Sequence, residues 1–172
     1  MMKIILVGYM GSGKSTIGKE LSKIVGIPFY DLDEIIEETE KESIKNIFKR
    51  KGEIYFRKIE SILFRNFVSN NESFILALGG GTPCYANNHE ILQQNSVQSF
   101  YLKGSVSTLT NRLLKEKENR PLIANLTEAE LDDYIKKHLF DRSYYYLQSK
   151  EVVSIDAKNV EVIVKELQER LT

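Results

Sequence analysis

The sequence predicts an α/β fold in three layers, in which helices cover both faces of a five-stranded parallel sheet. Short apolar runs alternate with stretches whose apolar residues recur at helical spacing. Such alternation favours parallel strands joined by helices. The 172 residues are enough for one domain that buries its own core, and we expect a single domain over 1–172.

The apolar runs and the helical spacing set the expected order of elements. Strands are predicted at 3–7, 29–33, 73–78, 97–102 and 151–155. The Thr127-Glu-Ala-Glu130 stretch predicts a helix start with a capping box. Helices are predicted at 15–25, about 44–51, 54–69, 87–94, 106–114, 127–142 and 160–171.

Composition excludes several classes of function. Lys and Arg together number 24, as do Asp and Glu, so no basic excess predicts a nucleic-acid partner. Cys84 is the only cysteine, which excludes an internal disulfide and fits a reducing compartment. The short N-terminal apolar run does not read as a signal peptide, and no run approaches the ~20 residues of a membrane span. We therefore expect a cytoplasmic protein without a membrane partner.

The stretch from Gly8 to Ser15 matches the phosphate-binding loop G-x-x-x-x-G-K-[ST]. It follows a predicted strand and opens a predicted helix, as such a loop must. Its glycines allow backbone N–H groups to face phosphate oxygens, Lys14 can reach the β- and γ-phosphates, and Ser15 can offer a hydroxyl to Mg²⁺. The expected nucleotide-binding residues of this segment are Gly11, Ser12, Gly13, Lys14, Ser15 and Thr16.

Two further polar or glycine-rich segments follow predicted strands. Asp31 and Asp33 come at the end of the second strand, and Gly79–Gly81 follow the third. Ligands of parallel sheets sit beyond the carboxyl ends of the strands, so these segments should meet the phosphate loop in one crevice. A turn-forming role for Asp31 and a helix N-cap role for Asp33 are the alternatives.

A phosphate loop alone does not separate a kinase from a GTPase or a motor. The sequence has no Asn-Lys-x-Asp guanine specifier, and Gly79–Gly81 stand where a GTPase would carry D-x-x-G. A short chain with a charged, mobile segment at Lys115–Asn119 favours a small-molecule phosphotransferase, whose task is positioning and charge neutralisation.

The chain resembles the shikimate kinase family almost end to end. This family is related to the nucleoside monophosphate kinases, and the resemblance implies its P-loop kinase fold. Lys41 and Tyr144 depart from the usual Gly and Pro, and Gln148 and Lys150 depart from the usual Glu and Ala. The matching segments are G-x-x-G-x-G-K-S-T-x-G at 8–18, D-x-D-x-x-I-E at 31–37, S-I-x-x-I-F at 43–48, G-E-x-x-F-R-x-x-E at 52–60, Gly79–Gly81, R-P-L at 120–122 and R-x-x-x-Y at 142–146.

The resemblance implies an acceptor site for shikimate, a carboxylate with three ring hydroxyls. It assigns the hydroxyls to Asp33, as base or positioner, and the carboxylate to Arg57 and Arg142. The backbone at Gly79, Gly80 and Gly81 would approach the substrate closely. The alternatives are helix pairs of Arg57 with Glu53 or Glu60, and a solvated helix face for Arg142.

The resemblance also implies ATP as co-substrate and Mg²⁺ as cofactor. It places Mg²⁺ on Ser15 and, through water, on Asp31. Lys14 and Arg120 would neutralise phosphate charge, and Arg112 would stack on adenine, with residues 156–158 as a weaker adenine candidate. Exposed positions on a loop for Arg120 and on a helix face for Arg112 are the alternatives.

The implied reaction transfers phosphate from ATP to the 3-hydroxyl of shikimate, a step toward chorismate and the aromatic amino acids. The implied parts are an acceptor-binding subdomain at about 33–67 and a lid at about 115–125, in a monomer. The rival hypotheses are a kinase for gluconate or a nucleoside monophosphate, and a nucleotide-binding regulatory protein without turnover. Four other features are expected to be structural or superficial: Tyr144–Tyr146 as helix-end packing, Cys84 as a structural residue, and His89 and His138 as surface groups.

Overall fold

The computed structural model describes residues 1–171, so that only the last residue of the expected domain, Thr172, lies outside the description. Five parallel strands form one sheet in the order β2-β3-β1-β4-β5. The strands are β1 (Lys3–Val7), β2 (Phe29–Asp31), β3 (Phe74–Ala77), β4 (Val97–Lys103) and β5 (Glu151–Ser154). The α-helices are α1 (Lys14–Val25), α2 (Leu32–Glu40), α3 (Ile44–Asn70), α4 (Val106–Glu116), α5 (Glu128–Tyr146) and α6 (Val160–Arg170).

The predicted strands and their parallel pairing are confirmed. The inner strands β1 and β3 are almost wholly buried, which explains why they read as unbroken apolar runs. The expected capping box is present at the start of α5, where Thr127 and Glu130 bond each other's backbone N–H groups.

Several boundaries differ from those expected. Strand β2 ends at Asp31 rather than residue 33, because the Asp31 carboxylate accepts a bond from the N–H of Asp33 and so caps α2. The segment predicted as a helix at 87–94 is a 3₁₀ segment, Asn88–Gln93. Helix α4 continues to Glu116 and passes into a 3₁₀ turn at Lys117–Asn119, so the charged start of the expected lid is helical.

Two details of the helices affect the site. The two helices expected on either side of Gly52 are confirmed: α3 is broken there, and Gly52 takes a φ of 84° that favours glycine. Helix α5 runs through Tyr144 without interruption, which a proline at that position would hinder. The continuous α5 carries Arg142 toward the turn that follows β3.

The carboxyl ends of β1, β2 and β3 lead directly into the phosphate loop, α2 and the glycine turn. Parallel neighbours end at the same edge, so these segments come together as the sequence predicts. Among residues 1–171, no helix has both the length and the apolar character needed to cross a lipid bilayer.

Candidate active site

The phosphate loop wraps around the start of α1. Gly11 and Gly13 have φ angles of 80° and 91°, which glycine adopts with little strain. Lys14 is the first residue of α1, and its Nζ donates to the carbonyl oxygens of Gly8 and Tyr9 at 2.6 and 3.0 Å. Burial lowers the pKa of Lys14 to about 8, so a bound anion would strengthen its charged form.

A cavity of about 590 Å³ opens beside this loop, and we call it the phosphate cleft. Ser12 is fully buried and does not line it; its N–H donates to the Tyr9 carbonyl at 3.2 Å. The expected nucleotide, metal and substrate residues that do line the cleft are Gly11, Gly13, Lys14, Ser15, Thr16, Asp31, Asp33, Gly79, Gly80, Arg112 and Arg120.

Ser15 and Asp31 form a pair of oxygen donors in the cleft. Ser15 Oγ donates to Asp31 Oδ2 at 3.0 Å, while Asp31 Oδ1 caps α2. Asp31 is therefore the N-cap, and the alternative of Asp33 as the cap is wrong. A hydroxyl beside a carboxylate, next to a phosphate loop, fits Mg²⁺, which takes few protein ligands and keeps waters and phosphate oxygens. No cluster of three or more His, Cys, Asp or Glu side chains suited to a metal occurs within residues 1–171.

Three cations line the phosphate cleft in addition to Lys14. Arg112 Nη1 donates to the carbonyls of Gly11 and Ser12 at 3.3 and 3.4 Å, so this side chain lies on the phosphate loop rather than on a solvated helix face. Arg120, which also lines the cleft, pairs with Glu116 at 3.1 Å. Lys158, from the weaker adenine candidate, also lines the cleft.

A second cavity, of about 290 Å³, adjoins the first, and we call it the arginine pocket. It brings together all the residues expected to bind the acceptor, which come from α2, α3, α5 and the turn after β3. Its lining consists of Tyr9, Met10, Asp33, Ile44, Phe48, Phe56, Arg57, Glu60, Gly79, Gly80, Gly81, Leu122, Tyr134, His138 and Arg142.

The Arg57 side chain contacts two carboxylates and an aromatic ring. Glu60, which is 1% exposed, pairs with its Nη1 at 2.9 Å and also accepts a bond from Thr82 at 2.8 Å. The Tyr85 ring lies 4.1 Å from the guanidinium carbon, and Glu53 lies 3.9 Å from its Nε. The pairs of Arg57 with Glu53 and Glu60, considered as alternatives from the sequence, both exist. They orient the guanidinium, which still lines the arginine pocket.

The glycine turn leaves room for the charged groups around it. A Cβ on Gly81 would lie 2.7 Å from Arg57 Nη2, and one on Gly80 would lie 3.1 Å from Arg142 Nη1. A Cβ on Gly79 would lie 3.1 Å from Asp33 Oδ1. A side chain at any of these positions would require the neighbouring charged group to shift, so the glycines let the turn lie close to Asp33, Arg57 and Arg142.

Arg142 faces the pocket from α5 and is half-buried there. Its guanidinium lies 5.7 Å from the centre of the Tyr9 ring, within the range of a cation–π contact. Tyr146 is fully buried and donates to the Gly80 carbonyl at 2.5 Å, which ties α5 to the glycine turn. Helix-end packing was expected of Tyr144–Tyr146; it is confirmed for Tyr146, whereas Tyr144 is exposed.

Asp33 lines both cavities, together with Met10, Gly79 and Gly80. Burial first, and the neighbouring Asp31 and Glu60 next, raise the pKa of Asp33 to about 6. Lys14 opposes this rise. A carboxylate with a raised pKa, set between a phosphate cleft and a pocket of cations, can accept a hydroxyl proton or orient the hydroxyl.

Sequence reasoning misjudged both histidines. His138 was expected at the surface, but it is half-buried, lines the arginine pocket and bonds Tyr9 Oη through Nδ1 at 2.8 Å. His89 is also half-buried, against the rings of Tyr144 and Tyr145. The position of His138, one helical turn before Arg142, was the signal that could have placed it on the same face.

The sequence did not predict the roles of Tyr85 and of the apolar pocket wall, whereas Cys84 agrees with its predicted structural role. Tyr85 carried no signal, because its contact with Arg57 joins segments far apart in sequence. The apolar wall of the arginine pocket, including Phe48 and Phe56, lay within matched motifs but had been given no role. Burial raises the pKa of Cys84 to about 11, which agrees with an unreactive, structural thiol.

A phosphate loop at the edge of a parallel sheet, next to a pocket that presents two arginines and a shared carboxylate, defines a P-loop phosphotransferase for a small anionic acceptor. Comparison with known proteins narrows this class. The sequence profile described as "Shikimate kinase" matches residues 10–172. A shikimate kinase of Flavobacterium johnsoniae is 52% identical over 97% of this chain and 97% of its own. The chain therefore belongs to the shikimate kinase family.

Solved structures agree in fold. The crystal structure of shikimate kinase from Bacteroides thetaiotaomicron superposes with a TM-score of 0.89 at 32% identity, covering 98% of this chain and 97% of that one. Shikimate kinase from Acinetobacter baumannii, solved in complex with shikimate, gives a TM-score of 0.84 at 29% identity, covering 100% of this chain and 96% of that one.

The raised pKa of Asp33 predicts a cost in stability. The folded chain disfavours the ionised carboxylate, so the contribution of Asp33 to stability is present at low pH and is lost as the pH rises from 3.8 through about 6. Asp33→Asn should therefore increase the free energy of unfolding at pH 7.5 by about 1–3 kcal/mol. Urea unfolding of both proteins at pH 7.5 and pH 4 measures the difference, which should shrink at pH 4.

The matched control is Asp133→Asn, which removes an exposed carboxylate from α5. It should leave the free energy of unfolding within about 0.5 kcal/mol of wild type. Equal stabilities of wild type and Asp33→Asn at pH 7.5 would contradict the idea that Asp33 is held in an unfavourable, desolvated position.

Proposed function

We propose that the protein phosphorylates the 3-hydroxyl of shikimate with ATP, giving shikimate 3-phosphate on the route to chorismate and the aromatic amino acids. The observation that carries this proposal is the position of Asp33, which lines both the phosphate cleft and the arginine pocket. A hydroxyl held at Asp33 would face a phosphoryl donor in the neighbouring cleft. Membership of the family and the named relatives support the same reaction.

ATP occupies the phosphate cleft in this proposal. The loop N–H groups and the N-terminus of α1 receive the phosphates, and Lys14 exchanges its two carbonyl partners for phosphate oxygens. Arg120 neutralises charge as the phosphoryl group moves, once it has left Glu116. Arg112, lying on the loop at the cleft rim, stacks on the adenine.

Mg²⁺ fits the Ser15 and Asp31 pair, with Ser15 as a direct ligand and Asp31 acting through water. When bound, the ion would supply positive charge to the phosphates of ATP. The paired oxygens and the space of the cleft support this assignment.

Shikimate occupies the arginine pocket. Its carboxylate lies between Arg57 and Arg142, for which the planar fork of guanidinium is suited. Its 3-hydroxyl lies at Asp33, and the backbone of Gly79–Gly81 allows the ring to approach closely. With a pKa of about 6, Asp33 is largely ionised at pH 7.5 and can receive the hydroxyl proton as transfer proceeds.

Two segments of the chain have separate roles in this proposal. Residues at about 33–67 supply the acceptor-binding subdomain, and residues at about 115–125 supply a lid. Arg120 lines the phosphate cleft and Leu122 lines the arginine pocket, which supports a lid that touches both cavities. Closure would exclude water and prevent ATP hydrolysis. We further propose that the protein acts as a cytoplasmic monomer.

The direct test is acceptor-dependent ADP release in Mg²⁺-ATP, with shikimate, gluconate and AMP supplied separately. Shikimate alone should stimulate release, and NMR of the product should show the phosphate on the 3-oxygen. Stimulation by gluconate or AMP instead would contradict the acceptor assignment. Tight ATP binding without turnover on any of them would favour a regulatory protein.

Arg57→Lys tests the carboxylate clamp. Lysine keeps the charge but loses the bidentate fork, so the KM for shikimate should rise about tenfold or more while the KM for ATP changes less than about twofold. Steady-state kinetics with each substrate varied in turn measures both values. Arg65→Lys, on the same helix but outside both cavities, is the matched control and should change neither. An equal rise of both KM values would contradict the clamp and indicate a structural role through Glu60.

A further inference from the structure

His138 occupies a position in the arginine pocket that the proposed reaction does not explain. It lies on α5 one turn before Arg142, and its Nδ1 shares a hydrogen bond of 2.8 Å with Tyr9 Oη. The Tyr134 ring packs edge-on against the imidazole, with the ring centres 4.3 Å apart. Both contacts fix the orientation of the His138 ring at the pocket wall.

Tyr9 connects this histidine to the rest of the site. Its ring is 1% exposed and lies 5.7 Å from the Arg142 guanidinium carbon, while its carbonyl accepts a bond from Lys14 Nζ. The orientation of the Tyr9 ring therefore bears on Arg142, and its backbone belongs to the phosphate loop.

The two arginines of the pocket are held in different ways. Arg57 is paired with the buried carboxylate of Glu60 at 2.9 Å. Within residues 1–171, no carboxylate lies within 4.0 Å of the Arg142 guanidinium nitrogens. Its neighbours include the Tyr146 side chain, which is hydrogen-bonded to it, the Tyr9 ring, whose centre lies 5.7 Å away, and Cys84. The full charge of Arg142 thus stays available to an incoming anion, but the position of its long side chain depends on those aromatic groups.

We propose that His138 is a positioning residue for acceptor binding: its hydrogen bond to Tyr9 holds the ring on which Arg142 rests, and so places the second cation of the carboxylate clamp. This inference rests on the proposed function, because the clamp is assigned to shikimate. Burial, and next the charge of Arg142, lower the pKa of His138. The imidazole is therefore neutral at pH 7.5 and holds Tyr9 without repelling Arg142.

Two substitutions remove the hydrogen bond between His138 and Tyr9, one from each side. His138→Leu and Tyr9→Phe each remove it while keeping bulk, and each should raise the KM for shikimate roughly three- to tenfold, the range expected of one neutral hydrogen bond. The KM for ATP and kcat should change less than about twofold. The double variant should be no worse than the single ones, because both remove the same bond.

Conservative variants separate positioning from packing. Asparagine places a polar atom near the position of Nδ1, so His138→Asn should return the KM for shikimate to within about twofold of wild type. Glutamine reaches toward the position of Nε2, so His138→Gln should resemble His138→Leu. A packing role alone would make leucine at least as good as asparagine.

Steady-state kinetics at pH 7.5 on the full chain gives every readout, and thermal unfolding identifies any variant that fails to fold. His89→Leu is the matched control, since this histidine lies outside both cavities, and its KM for shikimate should equal that of wild type. An unchanged KM in His138→Leu and Tyr9→Phe, or an equal rise in both KM values, would contradict the inference alone. A wild-type protein that does not phosphorylate shikimate would contradict the proposed function and the inference with it.

Discussion

The burial of two opposite charges, Lys14 and Asp33, is the constraint on which the rest of the site depends. Desolvation weakens the charged form of each, lowering the pKa of Lys14 to about 8 and raising that of Asp33 to about 6, while each favours the charge of the other. The fold holds them there because the loop after β1 and the helix after β2 begin at the same edge of the sheet, on either side of β3. Burying these two charges costs the folded state stability, and the same two groups are the ones that the proposed reaction uses.

The surroundings of that pair are organised by backbone as much as by side chains. The glycine turn after β3 lets Asp33, Arg57 and Arg142 lie closer to the backbone than a Cβ would allow without a shift of these groups. Buried Glu60 then fixes Arg57 and bonds Thr82, so the same residue joins α3 to the turn. The two arginines of the pocket are therefore held differently. Arg57 is paired with a carboxylate, whereas Arg142 lies against aromatic side chains and its charge is available to a ligand.

Sequence could predict those features that local chemistry encodes. The phosphate loop is contiguous, and the five strands and their parallel direction follow from short apolar runs that alternate with helical stretches. Residues such as Arg142 were assigned by family resemblance, and the structure does bring them into one pocket. The predictions that were wrong concern contacts that only the folded chain defines. Of the two aspartates near the start of α2, Asp31 and not Asp33 is the N-cap. The hydrogen bond of His138 to Tyr9 joins residues 129 positions apart. No local pattern carries that information.

One carboxylate, Asp33, lies between the phosphate cleft and the arginine pocket, which we propose as the nucleotide site and the acceptor site. A crystal structure of the protein with shikimate, Mg²⁺ and a non-hydrolysable ATP analogue tests it most directly. We expect the shikimate carboxylate to lie between Arg57 and Arg142, with the 3-hydroxyl within hydrogen-bond distance of Asp33. The γ-phosphate should face that hydroxyl from the phosphate cleft. Shikimate bound outside the arginine pocket, or turned so that its carboxylate faces Lys14, would contradict the account.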